Sequence, residues 1–507
     1  MQKTSLLLML ITIGTKFFGL AREKALAHFF GTSEVANIFL IAFTLPMVVS
    51  NLLSGSLSGG FIPIYTEIAH KEGREEADRF TSKLSVILAL AALVLSLLAV
   101  IFAPNLVRMM ASGFRGAVFD KTVYMTRITA VSITTLAVFA IFKAYLQIYS
   151  HFIVSILHSV VMNSVLIAAM FLGRDGNLTL LAFGILFAFV FQFIFFLPYI
   201  RKSGFHFRTS GYKEVSGLKK LFILIIPIFI STSVLELNNI ISKSLASSIA
   251  TIGVPVINYA TKIQGFVTGI VVTSIITVTY PQMARLVEEK ATRQLGKVFG
   301  KSLSLMAAFV LPATVGIVCF HEEIVRLLFL SGAFSASDVT ITGEVLLFYG
   351  MGLFAIGIRE IGIRIFYSKK EARVPVLNSV YMVLLNVLLN VLLGRAFGLR
   401  GLAMGTAIAL WVGGIGMLVH LYKSMGTLGL EGAWKNILKI LIASAAMGIV
   451  AKGAERALSR VLSLNISLIL AIALGALTYF ILAVVFRFEE LDELKQLLNN
   501  KKKTKDA

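Results

Sequence analysis

The chain is broken into long, continuous apolar runs, and that feature leaves few ways to fold. Fourteen such runs of about 20 residues fall near 5–30, 34–58, 84–104, 122–149, 152–173, 178–200, 218–243, 254–284, 302–320, 340–367, 374–394, 401–422, 437–451 and 464–486. An apolar run of that length crosses the hydrocarbon core of a bilayer as a helix. The runs are continuous instead of alternating every second residue, so the expectation is an all-α polytopic bundle and not a barrel. Only 14% of residues are charged and mean hydropathy is +0.87, whereas soluble domains carry about 25% charge. The first run leads into a charged helix with no small-residue cleavage site, and it reads as a span instead of a removed signal. The single cysteine, Cys319, excludes an intrachain disulfide and any Cys-rich metal site.

A net charge of +21 invites a nucleic-acid reading, which the placement of the charges makes unnecessary. When the N-terminus, the even-numbered loops and the C-terminus are taken as one side, that side carries 28 of the 47 Lys and Arg, and the opposite side carries 10. Basic loops stay in the cytoplasm, so both termini are expected there, in a bacterial inner membrane.

The sequence also repeats. "FIPIYTEI" matches "TYPQMARL" with Pro63 opposite Pro281. "APNLVRMM" matches "HEEIVRLL" with Arg108 opposite Arg326, and "LQIYS" matches "RIFYS" with Tyr149 opposite Tyr367. All three pairs are 218 residues apart. The repeat unit holds six runs, and an even number preserves orientation. Two parallel six-helix lobes, 1–210 and 211–425, are therefore expected, followed by two additional helices in 426–486 and a cytoplasmic basic tail, 487–507. The basic stretch 201–220 joins the lobes.

Charge inside a bilayer costs roughly 2.5–3.5 kcal/mol per residue on insertion scales, so the charges within the runs need a purpose. "TKFFGLAREKALAHFF", Thr15 to Phe30, places Thr12, Thr15, Gly19 and Arg22 on one helical face, leaving room beside the guanidinium for a ligand. Lys16 and Glu23 share another stripe, where Glu23 partly neutralises its neighbours, while Lys24 and His28 are expected to reach the interface. In the eighth run, Lys262 lies beside Tyr259, Thr261 and Gln264 with no acid within a turn in sequence. Such a lysine suits an anionic ligand. Lys243 is nearer a run end and is expected to snorkel. Within the apolar runs of the second lobe the acids are Glu236, with Asn238 nearby, and Glu344 and Glu360. Asn386 and Asn390 stand one turn apart, suited to clamping helices. No Walker loop, HExxH, GxSxG or Cys–His pair is present, so no enzyme, cofactor or confident metal site is expected. Coupling to a Na+ or H+ gradient or to the membrane potential is the default.

Three segments resemble the MurJ/MviN lipid II flippases of the multidrug/oligosaccharidyl-lipid/polysaccharide exporter superfamily. They are "GLAREKALAHFFGTSEVANIFLIAFTLP", "VINYATKIQGFVTGIVVTSIITVTYPQMARL" and the stretch from "SGAFSASDVTITGEVLLFYGMGL" to "RIFYSKKEARVPVLNSVYMVLLNVLLN". The resemblance implies a carrier that moves a polyprenyl-diphosphate-linked precursor, lipid II, to the outer leaflet by alternating access, with the last two spans forming a lipid-tail groove. It implies substrate-binding roles for Arg22, Glu23 and Lys262, and places Asn37 on the family's second-span aspartate. Lys16 and Gln264 join this set from their positions beside those cations. The resemblance also places a sodium site at Ser242, Asn386, Asn390 and Thr406, where the expected acids are Ser242 and Asn390 here; Glu236 is the alternative proton carrier. An arginine is missing near Ser50 and Asn51, and Thr44 stands where the family has a lysine. The alternatives are a flippase for another lipid-linked glycan, such as an O-antigen or capsule unit, a cation-coupled drug exporter, and a non-transporting cell-wall scaffold. The expected partners are the lipid-linked substrate and membrane lipids, with the chain monomeric or joined by cell-wall synthesis proteins.

Overall fold

The computed structural model describes residues 2–208 and 217–489. Residues 209–216 of the basic linker and 490–507 of the tail lie outside the described residues. Among the described residues eighteen α-helices follow one another: α1 (Gln2–Phe30), α2 (Glu34–Lys71), α3 (Arg74–Ile101), α4 (Ala103–Met110), α5 (Gly116–Ala130), α6 (Ser132–Ile148), α7 (Phe152–Leu172), α8 (Leu178–Ile194), α9 (Leu197–Lys202), α10 (Leu218–Ile249), α11 (Gly253–Val267), α12 (Thr273–Glu288), α13 (Thr292–Phe329), α14 (Ala336–Met351), α15 (Leu353–Ser368), α16 (Arg373–Met425), α17 (Leu430–Leu458) and α18 (Leu464–Val485). A π-helical turn, Thr268–Val272, joins α11 to α12. No strand occurs among the described residues.

Among the described residues, ten helical segments are long and apolar enough to cross a membrane, and two bent pairs, α5–α6 and α14–α15, raise this to twelve. The expected fourteen differ by α1 and by the 53-residue α16, in which two expected spans run together. Gly398 separates the arms of α16 with φ 64° and ψ −141°, a conformation that only glycine adopts without cost. A Cβ on Gly405 would lie 2.6 Å from Asn390 Oδ1 and 3.0 Å from the Leu389 carbonyl carbon. The absent side chain is what lets the two arms fold back on each other.

Both bent pairs turn by 40°, and they are the fourth run of one expected repeat and the fourth of the other. The residues just beyond them, Ser150 and Lys370, both adopt positive φ, 61° and 62°. Pro63 lies inside α2 and Pro281 inside α12, as the sequence alignment of the repeats requires.

The described chain forms two compact units, Met1–Asn258 with Phe329–Asp338, and Tyr259–Leu328 with Val339–Ala507. In the first, Phe61, Tyr65, Phe80, Phe139, Tyr145 and Phe196 make the core, stacked edge and face across α2, α3, α6 and the turn between α8 and α9. Helix α10 packs along α2, and its Ile225 and Ile228 fill the space over Gly60 and Gly59. In the second unit, Met306 and Met417 fill the notches at Gly357 and Gly362 of α15. Outward faces are apolar: Leu90, Leu93, Leu97 and Ile101 of α3 and Ile449 of α17 are all well exposed. A greasy exterior on this scale needs lipid around it. At 38 residues, α2 is about 57 Å long and outreaches a 30 Å hydrocarbon core.

Candidate functional site

In the first unit, α1 presents Arg22 and Glu23 side by side, 7% and 1% exposed. Arg22 Nη2 pairs with Glu23 Oε1, and Asn258 Nδ2 donates to Glu23 Oε2 at 2.7 Å. The Arg22 guanidinium lies over the Phe43 ring of α2, 5.0 Å from its centroid, and that ring stacks on Phe39 and Phe189. Arg22 is thus held in the protein and does not snorkel, while Lys24 and His28 are exposed. A Cβ on Gly19 would meet nothing within 4 Å, so α1 is open on the stripe below Arg22. Thr15 bonds back to the Thr12 carbonyl at 2.7 Å, and Lys16 is exposed.

Asn37 is 3% exposed and donates to the Thr251 carbonyl at 2.8 Å and to Ser33 O at 3.0 Å. It ties α2 to the turn after α10. The segment 329–338 docks nearby, with Ala333 N on His28 O at 2.8 Å and Thr32 Oγ1 on Asp338 Oδ1 at 2.6 Å.

Lys243 departs from expectation. Its Nζ donates to Thr44 Oγ1 at 2.7 Å, with Thr44 only 4% exposed. The ammonium turns inward because α10 packs on α2 along its whole length, so the nearest polar acceptor lies across the helix pair and not at the interface. Two turns earlier, half-buried Glu236 accepts from Asn51 Nδ2 at 2.9 Å. Asn238 and Ser242 are half-buried on the same helix.

In the second unit, Lys262 is exposed on α11, and Gln264 Nε2 donates to Tyr349 O at 2.6 Å. Gly265 has open space where a Cβ would stand, and the π turn begins three residues on. Asn386, Asn390 and Thr406 do come together. The two amides lie 3.1 Å apart, and Asn386 Nδ2 donates to Thr406 Oγ1 at 3.1 Å. They join the two arms of α16, whereas Glu236, Asn238 and Ser242 belong to the first unit. Among the described residues, no group of three His, Cys, Asp or Glu could hold a metal ion. Glu344 pairs with Arg400, and Glu360 lies 3.8 Å from Arg359 and 3.9 Å from Arg364. Arg359 is 7% exposed, and its Nε donates to Asn378 Oδ1 at 3.0 Å.

Sequence reasoning missed Asn258 and Phe43 and sent Lys243 to the interface. Asn258 had a signal, an amide one helical turn before Lys262; Phe43 had none, since a cation under an aromatic ring is set by packing.

The family model described as lipid II flippase MurJ matches residues 26–475. A probable lipid II flippase MurJ of Rickettsia prowazekii is 28% identical over 454 residues, 88% of this chain and 89% of that one. The corresponding protein of Thermotoga maritima is 24% identical over 97% of this chain and 98% of its own. Among solved structures, a lipid II flippase MurJ in an inward closed conformation superposes with a TM-score of 0.82 at 24% identity, covering 95% of this chain and 98% of that one. A multidrug resistance MATE family transporter in an inward-facing conformation gives 0.66 at 14% identity, covering 84% and 99%. These two likenesses are of fold. The match of the family model across both units and into α18, on helices apolar enough to span a membrane many times, places this multi-pass chain in the lipid II flippase MurJ family.

Proposed function

We propose that the chain carries lipid II from the cytoplasmic to the outer leaflet of the bacterial inner membrane by alternating access. The observation that carries this reading is the family match over residues 26–475. A buried arginine on a membrane helix, held by an acid and an amide, supports it. Arg22 and Lys262 each supply a charge-assisted contact to the diphosphate, worth about 1.5–3 kcal/mol. The polyprenyl tail stays in lipid along α17 and α18, and the empty carrier then resets. Both termini lie in the cytoplasm, and the chain works as a monomer.

The test is complementation of a strain depleted of its essential lipid II flippase. Growth and normal shape are expected with the wild-type chain and with Lys262→Arg, and lysis with Lys262→Ala at matched expression. Failure of the wild-type chain, when it is inserted and folded, would refute lipid II as the substrate.

A further inference from the structure

A cleft of about 580 Å³ opens on the surface of the first unit, between α3, α6, α8 and the stretch that follows α9. Its walls are apolar: Val86 of α3, Val138 and Phe142 of α6, and Phe193 of α8. Two exposed residues, Arg201 and His206, line it as well. His206 Nδ1 is turned to the Gly204 carbonyl at 3.0 Å, so Arg201 is the cation this cleft has to offer. The acids at the start of α3 each hold another arginine: Glu75 holds Arg208, Glu76 holds Arg79 and Asp78 holds Arg74. Among the described residues, the Arg201 guanidinium makes no hydrogen bond or ion pair. Arg208 N donates to Ser82 Oγ at 3.2 Å, which sets the stretch after α9 against the beginning of α3. One turn beyond Val86 and Ala89, Leu90 and Leu93 continue the same face of α3, 59% and 46% exposed. The cleft therefore has a basic end and an apolar end, and the apolar end runs out onto the surface that needs lipid.

We infer that this cleft binds an anionic phospholipid, which lays an acyl chain against α3, α6 and α8 and its phosphate against Arg201. The two ends together select the occupant. A soluble anion gains nothing from the apolar walls, and a lipid without net charge leaves the guanidinium without a full counter-charge. Basic residues at the membrane surface attract anionic lipids in this way. The inference is independent of what the carrier moves. The plain alternative is an ordinary lipid-facing surface that takes any lipid.

Native mass spectrometry of the purified full chain, titrated with phosphatidylglycerol or with phosphatidylethanolamine of the same chain length, separates the two. The wild-type chain is expected to bind its first phosphatidylglycerol about fivefold more tightly. Arg201→Gln should abolish that preference, and Arg201→Lys should keep it. Arg201 is exposed, so neither change threatens the fold. Lys202→Gln is the control, since Lys202 is exposed beside Arg201 but does not line the cleft; the preference should stay within about twofold of wild type. Equal losses from the two glutamine variants would reduce the effect to general surface charge and overturn the site. Ala89→Phe puts a ring into the cleft and should weaken both lipids. A folded Ala89→Phe chain that binds phosphatidylglycerol as wild type does would overturn the placement of the acyl chain. A wild-type chain with no preference would overturn the inference outright. A preference that emerges only when residues 209–216 are replaced by a Gly/Ser linker would make the chain's own linker the occupant, and would overturn it too.

Discussion

Replacing Arg22 should damage folding as well as transport, and a second substitution should separate the two effects. Glu23 is 1% exposed, with Arg22 on one oxygen and Asn258 on the other. Arg22→Met leaves the carboxylate with the amide but without its cation, and stranding one member of a buried pair costs about 3–5 kcal/mol. Adding Glu23→Gln removes the stranded charge, keeps the volume and leaves a carbonyl for Asn258. Replacing both members of such a pair by neutral groups of similar size is often close to neutral, so the double variant should recover at least ~2 kcal/mol of the loss. Thermal unfolding in detergent, followed by the fluorescence of Trp411 and Trp434, measures both variants against wild type. Transport by the double variant should stay abolished, because the diphosphate contact is gone. A single variant as stable as wild type, or a double no better than the single, would refute the desolvated-pair argument. Normal transport by the stable double would refute a substrate role for Arg22.

Other outcomes follow from the same structure. Gly405→Leu should destabilise the second unit by about 1–3 kcal/mol through overpacking, since its Cβ would press on Asn390 and Leu389; unchanged thermal stability would argue against the close α16 hairpin. In a Cys319→Ser background, cysteines placed at Arg115 and Arg174 should label from outside intact cells, and one at Lys202 should not; the reverse pattern would invert the topology. The Asn386–Asn390–Thr406 cluster contains no carboxylate, and neutral oxygens hold sodium weakly, so flipping in proteoliposomes should follow membrane potential or a proton gradient more than sodium. Strict sodium dependence that survives Glu236→Gln would refute this.

The bundle was legible because a bilayer leaves a chain little choice, and each run of about 20 apolar residues must satisfy its own backbone. The Arg22–Glu23 pair was legible for a similar reason, as neighbouring opposite charges in an apolar run have little else to do. The readings that failed each turned on which residue of a second helix meets the side chain. The direction of Lys243 was misread because its partner, Thr44, lies 199 residues away, and snorkelling is the right default only for a side chain facing lipid. Asn37 reads in sequence as a degraded acidic site, yet its amide grips the Thr251 carbonyl. The hairpin inside α16 was legible as the gap between the runs 374–394 and 401–422; what the pattern did not give is that it rests on one glycine, Gly398, at positive φ.

The π turn at Thr268–Val272 also bears on how this helix reads along its length. An α-helix advances about 100° per residue, and a π turn accommodates one residue more than an α turn. Everything after it is therefore out of phase with everything before it by about that angle. Lys262 and Gln264 on one side, and Pro281 and Arg285 on the other, cannot be placed on faces with a single helical wheel. Deleting one residue within 268–272 would restore an unbroken α-helix of nearly the same length and hydropathy. It would also rotate Lys262 by more than a quarter-turn relative to the end of α12, moving a charge without substituting any charged residue.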